Sequence, residues 1–181
     1  MVEIIIINGV GRSGKDEFVK QCQKYFANTH NISSIDNVKL VAQKMGWDND
    51  KSDKGRKFLS DLKERWNNYN NGCTGGTFRR VAGIVKNMED YELNCLIFVH
   101  IREPKKIDEF KQLCKEKLGI DAKTMLVRNP NVPPIETNHS DGDVEKYVYD
   151  IYVNNSGTLE QLEDLARDFI ITRFPKVMIG A

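Results

Sequence analysis

The sequence lacks an excess of charge of either sign. Its 27 lysines and arginines are balanced by 26 aspartates and glutamates, which leaves a formal net charge of +1 at pH 7 over 181 residues. A balanced charge gives no general attraction to nucleic acid or to anionic lipid. Any affinity for an anion must therefore come from a local cluster of basic residues.

Long hydrophobic runs and metal-binding motifs are also missing. No stretch approaches the roughly 18 apolar residues of a membrane span, and the opening MVEIIIING lacks the basic segment and cleavage site of a secretory signal. We therefore expect a cytoplasmic protein with no membrane partner. The four cysteines form no C-x-x-C pair and the three histidines show no metal spacing beside them, which favours reduced cysteines that serve in packing.

The sequence does contain an alternation of buried strands and amphipathic helices. VEIIIIN carries four consecutive isoleucines, which is typical of a strand buried on both faces, and KDEFVKQCQKYF has apolar residues at helical spacing. LNCLIFVHI, KTMLV and YVYDIYV are further predicted strands. Such alternation predicts a three-layer α/β fold, in which about five parallel strands carry helices on both faces. The length is enough for one compact domain, so we expect a single domain over 1–181.

Three regional predictions can be compared directly with a structure. A helix over about 53–69 is predicted to bury Phe58, Leu59, Leu62 and Trp66. The run NNYNNGCTGG is predicted to be a loop because of its composition. The segment from about 129 to 146 is long for a connection and has no core pattern, so we interpret it as a short lid over the site.

The first strand is followed by GVGRSGKD, residues 9–16, which has the spacing of a phosphate-binding loop, G-x-x-x-x-G-K. Glycines let such a loop curl so that its N–H groups point at phosphate oxygens, the next helix presents its positive end, and the lysine adds a full charge. A buried strand before the loop and an amphipathic helix after it are the context that supports this motif. The predicted nucleotide-binding residues here are Gly9, Gly11, Arg12, Ser13, Gly14, Lys15 and Asp16.

Asp16 stands where such loops usually carry serine or threonine as a magnesium ligand. Three interpretations are open from the residue alone. It could be a first-turn acid stabilised by the helix dipole, it could disrupt the metal site and leave a loop that binds nucleotide without turnover, or it could hold Mg²⁺ directly or through water. The sequence chemistry does not rank them.

A loop ending in GKD resembles two groups of small P-loop kinases within the nucleoside monophosphate kinase-like branch. These are the deoxynucleoside monophosphate kinases of phages and bacteria and the animal-type phosphomevalonate kinases. SSIDNVKLVAQKMGW, KGRKFLSDLKERW, LIFVHIREP and YDIYVNNSGTLEQLEDL also look like successive segments of the phage-type enzymes. These matches cover most of the chain in order.

The resemblance implies a P-loop fold and a reaction that uses ATP and Mg²⁺. It also implies that Asp36 faces the phosphate acceptor, that Arg128 is a lid arginine, and that the turn at Asn154 lies near the adenine. Helix capping is the alternative role for Asp36. The resembled kinases usually carry an aspartate where this chain has His100, so we interpret Asp16 as the magnesium-side carboxylate, acting through a water.

Basic residues from several segments could hold the moving phosphoryl group and the acceptor phosphate. Arg102 follows a predicted strand, and ligands of open α/β sheets bind beyond the carboxyl ends of the strands. A salt bridge with Glu103 is the alternative role. The other predicted substrate-binding cations are Arg56, Lys57, Arg65 and Arg79, although acids interleave the first three as on a solvated helix face.

We therefore expect an enzyme that transfers a phosphoryl group from ATP to a small phosphorylated acceptor, namely a nucleoside or deoxynucleoside monophosphate. Its predicted catalytic residues are Lys15, Asp16, Arg102 and Arg128, with Asp16 as the metal ligand. A phosphomevalonate-type kinase and a nucleotide-binding protein with little or no transfer are the alternatives. A single-strand nucleic-acid binder is a third, which the balanced charge and the lack of an aromatic platform on a strand disfavour.

Overall fold

A computed structural model describes residues 1–132 and 144–175. Within these two ranges five strands alternate with six α-helices, and a short 3-10 turn at Val144–Lys146 precedes the last strand. In chain order the elements are β1 (Val2–Asn8), α1 (Lys15–Tyr25), β2 (Thr29–Ser33), α2 (Asp36–Lys44), α3 (Asp53–Asn70), α4 (Gly72–Asp90), β3 (Cys95–His100), α5 (Pro104–Leu118), β4 (Lys123–Arg128), β5 (Ile151–Asn154) and α6 (Leu159–Arg173).

The five strands form one sheet in the order β2-β3-β1-β4-β5, and every neighbouring pair is parallel. The register pairs His100 with both Ile7 and Ser33, and it pairs Arg128 with Asn154. The carboxyl ends of all five strands therefore lie along the same edge of the sheet. The predicted α/β class with five parallel strands is confirmed.

Helices cover both faces of the sheet, which gives the predicted three layers. On one face α1 and α6 pack against alternate residues of β1 and β3, and Phe18 of α1 meets Phe98 of β3 edge to face at 6.2 Å. On the other face α4 and α5 bury Val81 and Phe110 against the remaining isoleucines of β1. The four isoleucines, Ile4–Ile7, are almost completely buried because both faces are covered.

The predicted loop NNYNNGCTGG is wrong, because α4 begins at Gly72 and only Asn71 separates it from α3. Asn71 adopts a left-handed conformation at φ +53°, which turns the chain sharply between the two helices. A Cβ on Gly72 would lie 2.0 Å from Trp66 Nε1, so this glycine lets the first turn of α4 pack directly on Trp66. Here the glycines serve close helix packing instead of breaking the helix.

Other local predictions have mixed outcomes. The helix over about 53–69 is confirmed as α3, but Phe58 is exposed, because the inward stripe contains Gly55 and Leu59. The strand predicted for YVYDIYV is shorter and covers only Ile151–Asn154. Part of the predicted lid, 133–143, lies outside the described residues.

The cysteine prediction agrees with the structure, since all four cysteines are free and buried. Burial raises the pKa of the Cys22 and Cys114 thiols to about 12, which leaves them protonated and inert at neutral pH. Across the described ranges, no helix combines the length and apolar character needed to cross a membrane.

Candidate phosphate-binding site

The loop between β1 and α1 has the backbone of a phosphate cradle. Gly9, Arg12 and Gly14 have φ values of +152°, +68° and +90°, so the chain reverses direction within six residues. The Ser13 N–H donates to Val10 O at 3.2 Å and closes a tight turn. Helix α1 begins at Lys15, which directs the positive end of its dipole toward the loop.

Two glycines of the loop are required by close contacts as well as by φ. A Cβ on Gly9 would lie 2.5 Å from both Ser13 Oγ and Val127 O. A Cβ on Gly14 would lie 2.2 Å from Asn155 Nδ2. The loop is thus packed tightly against the ends of β4 and β5, and neither position has room for a side chain.

Asn8, the last residue of β1, fixes the start of the loop through three hydrogen bonds. Its Oδ1 accepts from the Gly9 N–H at 2.8 Å, and its Nδ2 donates to Arg102 O at 3.0 Å and to the Tyr149 hydroxyl at 2.8 Å. Tyr149 in turn donates to Val144 O at 3.0 Å. Because Asn8 is fully buried, this network joins the loop rigidly to the exit of β3 and to the segment that precedes β5.

Asn155 fixes the other end of the loop. Its Nδ2 donates to Ser13 O at 3.0 Å, and its backbone N–H donates to Arg128 O at 2.7 Å. Sequence reasoning missed Asn8, Tyr149 and Asn155 as site residues. The only sequence signal for the two asparagines is their position at the end of a buried strand, as in IIIIN and YVNN. That position alone does not distinguish an asparagine that holds the loop, here called a brace, from one that forms a turn.

Two polar side chains of the loop are buried. Ser13 is fully buried, and its Oγ has no hydrogen-bond partner within the described part of the chain. Lys15 is 8% exposed at the first position of α1. A buried hydroxyl and a buried ammonium group at the start of a helix are donors of the kind that a phosphate group requires.

His100 ends β3 beside this loop, and its two ring nitrogens have different neighbours. Nε2 lies 2.8 Å from Asn31 Oδ1, and Nδ1 lies 3.6 Å from Asp16 Oδ1. The His100 side chain is 10% exposed, whereas that of Asp16 is 79% exposed. Burial lowers the pKa of His100 to about 4, against the attraction of Asp16 and with the help of the Lys15 charge, so the ring is neutral at physiological pH.

Several predicted residues meet around His100. Arg102 follows His100 by two residues, and Ser33 of β2 pairs with His100 in register. Asp36 opens α2, and its carboxylate accepts from the Ser33 N–H at 2.9 Å. The structure therefore brings Lys15, Asp16, Asp36 and Arg102 together at the carboxyl edge of the sheet, as expected from strand topology.

Asp16 and His100 could hold a divalent cation only together with further ligands that complete its coordination shell. No group of three or more histidine, cysteine or acidic side chains that could hold a metal occurs in residues 1–132 and 144–175. Asp16 supplies one exposed carboxylate and His100 one imidazole nitrogen. That set is compatible with a divalent cation that enters with phosphate, because such ions can use one or two protein ligands plus phosphate oxygens and water.

The basic residues of α3 and α4 are less concentrated than predicted. Arg56, Lys57 and Arg65 are exposed on α3, and Lys57 pairs with Asp61 at 3.1 Å, one turn along the same helix. Arg79 of α4 is exposed too, and its guanidinium lies over Gly75 and Gly76 near Asn37 at the start of α2. Arg80 pairs with Asp36 at 3.0 Å and so reaches the cluster at the sheet edge.

Arg128, at the end of β4, is already engaged by neighbouring side chains. Its Nη2 lies 2.6 Å from Glu145 Oε2, and its guanidinium stacks 4.9 Å from the ring centre of Tyr152. The exposed Asn154, its partner in β5, lines an open groove of about 270 Å³ with Asn155, Ser156 and Gly157. This groove runs along the start of α6, where Thr158 and Gln161 form a capping box.

A small cavity on the α3–α4 side contains polar residues that sequence reasoning did not select. Its volume is about 10 Å³, close to the minimum for one water molecule. Lys63 pairs with Glu103 at 2.6 Å in its wall, and Glu103 Oε2 is buried with no hydrogen-bond partner among the described residues. Its lining also includes Ser34, Thr74, Thr77 and Lys106.

Comparison with known proteins finds similarity only in three dimensions. No protein-family model and no curated protein sequence matches the chain. The solved structures similar to it include an APS kinase mutant of Mycobacterium tuberculosis, at a TM-score of 0.48 and 12% identity, covering 93% of this chain and 96% of that one. They also include a sugar kinase of Janibacter sp. HTCC2649, at a TM-score of 0.44 and 11% identity, covering 95% and 94%. Similarity this distant does not identify the activity or the substrate of this chain.

Proposed function

We propose that this protein transfers the terminal phosphoryl group of ATP to a small phosphorylated acceptor, and that the acceptor is a nucleoside or deoxynucleoside monophosphate. The observation that carries the proposal is the glycine loop at the start of α1, where Lys15 and Ser13 are buried together and Ser13 Oγ has no hydrogen-bond partner in 1–132 and 144–175. Phosphoryl transfer requires in-line positioning and positive charge more than covalent chemistry. A rigid loop with these donors supplies both for the phosphates of ATP.

Each predicted residue has a role in this proposal. Lys15 and the loop amides other than those of Gly9 and Ser13, which donate to Asn8 and Val10, bind the β- and γ-phosphates. Arg102 offsets charge on the transferred group. Arg128 does the same after it leaves Glu145, which holds it at 2.6 Å in the described state. Asp16 holds Mg²⁺ on the side of α1. The ion supplies charge compensation on the phosphate oxygens when the nucleotide is bound.

The acceptor side of the proposal rests on the first turn of α2 and on the residues of α4 that face it. Asp36 and Arg80 form an ion pair there, and Arg79 lies over the adjacent glycines of α4. We propose that Arg79 meets the acceptor phosphate first, with Arg56, Lys57 and Arg65 of α3 as outer cations. The groove at Asn154 would receive the adenine of ATP, since it begins beside the Asn155 brace on the phosphate loop.

The test is an ADP-release assay with ATP and Mg²⁺ against nucleoside monophosphates, deoxynucleoside monophosphates and phosphomevalonate. A Lys15→Ala protein serves as the blank. We expect turnover with one nucleoside or deoxynucleoside monophosphate and none in the blank. Turnover with phosphomevalonate would show that the proposed acceptor is wrong and that the proposed reaction class is right.

The second candidate, a nucleotide-binding protein with little transfer, is favoured by one observation. Arg128, a predicted catalytic residue, is occupied by Glu145 and Tyr152. If that pair persists with nucleotide bound, charge on the transferred group is offset less well. ATP binding that depends on Lys15, without turnover on any acceptor and without recovery in Glu145→Gln, would establish this candidate.

A further inference from the structure

The arrangement of His100 is that of a metal-ligating histidine. Histidines that bind metals generally donate their second ring N–H to an oxygen, which fixes the tautomer and aims the free nitrogen at the ion. In this chain Nε2 lies 2.8 Å from Asn31 Oδ1, so the Nε2–H tautomer donates to the amide oxygen. The lone pair of Nδ1 is then left on the side that faces Asp16, at 3.6 Å.

The contact between Nδ1 and Asp16 needs a positive group to become favourable. With its proton on Nε2, the ring presents a lone pair to a carboxylate oxygen, and two acceptors at this distance repel each other. Neighbouring ligands of one octahedral ion, each about 2.1 Å from it, lie about 3 Å apart. The observed 3.6 Å is close to that spacing, and Asp16 can adjust because 79% of its side chain is exposed.

We propose that His100 Nδ1 and Asp16 together hold the cation that accompanies the nucleotide, and that this pair makes the site prefer a transition metal such as Mn²⁺ or Co²⁺ over Mg²⁺. This inference rests on the proposed nucleotide binding. Imidazole suits ions later in the transition series, whereas Mg²⁺ prefers an all-oxygen shell. The remaining positions of the ion belong to phosphate oxygens and water.

The position of His100 in the sheet supports a role at the loop. It pairs in register with Ile7, one residue before the Asn8 that fixes the phosphate loop. Its side chain is 10% exposed and is held by the contact with Asn31, so the ring has little freedom to move. Asn31 belongs to β2 and acts through His100, which makes it a positioning residue and not a ligand.

The test uses the intact protein with ADP and Mn²⁺ and measures pulsed electron paramagnetic resonance. We expect a nitrogen modulation from directly bound imidazole in the wild type and its loss in His100→Asp. His30→Gln is the matched control, since His30 is also a part-buried histidine whose pKa is lowered by burial. It pairs with Ile97 of β3, three residues before His100. His30→Gln should keep the modulation unchanged.

Metal titrations in the presence of ADP give a second readout that does not depend on turnover. The ratio of Mn²⁺ to Mg²⁺ affinity should fall about tenfold in His100→Asp, and Asn31→Ala should weaken Mn²⁺ binding by about tenfold while ADP still binds. Mn²⁺ bound with ADP but without nitrogen modulation would overturn this inference and leave the proposed function intact. Failure of ADP to bind the wild type at all would overturn both.

Discussion

The phosphate loop and helix α3 both carry the positive charges that a kinase needs, but they present them in opposite ways. The loop is fixed at one end by the buried Asn8 and at the other by the half-buried Asn155, and its lysine is 8% exposed. Helix α3 keeps Arg56, Lys57 and Arg65 in solvent, and Lys57 is neutralised by Asp61 on its own helix.

The loop lysine is therefore held in one position, whereas the cations of α3 only add to the general electrostatic potential around the protein. A buried, braced ammonium group interacts with a ligand in a low dielectric and loses little side-chain entropy on binding. An exposed lysine is screened by water and salt and must be ordered when it binds. We therefore expect substitutions in the loop to have much larger effects than those in α3.

The largest effect should come from Gly14→Ala. A Cβ at this position would lie 2.2 Å from Asn155 Nδ2, and φ is +90°, so the loop must move away from its brace. Displacing phosphate-binding groups by about 1 Å costs on the order of 100-fold in rate. We expect ATP affinity and turnover to fall by at least about that factor, measured by calorimetry and by ADP release.

Gly46→Ala is the matched control, because Gly46 has φ +92° but nothing lies within 4 Å of its added Cβ. It carries the same backbone strain, of about 1 kcal/mol or slightly more, without the clash. Its ATP affinity should equal that of the wild type. Equal losses of ATP affinity in both variants would mean that backbone strain, and not the fixed position of the loop, accounts for the effect.

The largest effect on stability, as distinct from ligand binding, should come from Asn8→Ala. This change leaves the Gly9 N–H, Arg102 O and the Tyr149 hydroxyl without their buried partner. We expect the free energy of unfolding to fall by about 4 kcal/mol, since each unsatisfied buried group costs about 1 to 3 kcal/mol. Tyr149→Phe should cost less, because Asn8 keeps two of its three bonds. Urea denaturation of the three proteins measures both, and equal losses would show that the network is not centred on Asn8.

A smaller effect should appear in the pH dependence of stability. The pKa of His100 in the folded protein is about 4, below the ordinary 6.5, so the unfolded chain binds more protons between these values. Stability is therefore lost as pH falls from 6.5 toward 4, by roughly 3 kcal/mol in total. In metal-free buffer, His100→Asn should remove most of this loss of stability between pH 6.5 and 4, whereas His30→Asn should retain most of the loss. A wild-type curve that matches His100→Asn would contradict the burial of a neutral ring.

Much of the fold could be predicted from the sequence because its signals are local. Four consecutive isoleucines specify a doubly covered strand, and Pro104 and Gly119 mark the two ends of α5 as their backbone preferences require. The break between α3 and α4 could not be predicted in this way. Gly72 has the composition of a loop, but it is needed because Trp66 packs against it.

The candidate site was only partly predictable, for the same reason. The glycines and Lys15 have a fixed spacing within one segment, so their arrangement could be inferred from the sequence. Asn155 bonds to Ser13, 142 residues earlier in the chain, and Asn8 bonds to Arg102, which follows another strand. Only the fold shows which asparagine faces the loop. His100 was noticed as a departure from the resembled kinases, but its tautomer depends on Asn31 in another strand.

The smallest effect we predict lies within the basic residues themselves and compares Arg79 with Lys57. Arg79 lies over the start of α4 near Asn37, one residue after the Asp36 of the sheet-edge cluster, whereas Lys57 is paired along α3. Arg79→Ala should raise the KM for the acceptor about tenfold, as expected for the loss of about 1.4 kcal/mol of phosphate binding, and leave the KM for ATP unchanged. Lys57→Ala should change either KM less than about twofold, because an exposed ion pair contributes under about 1 kcal/mol. Steady-state kinetics with each substrate varied in turn measures both, and a larger acceptor effect for Lys57 would mean that α3 turns its exposed face to the acceptor.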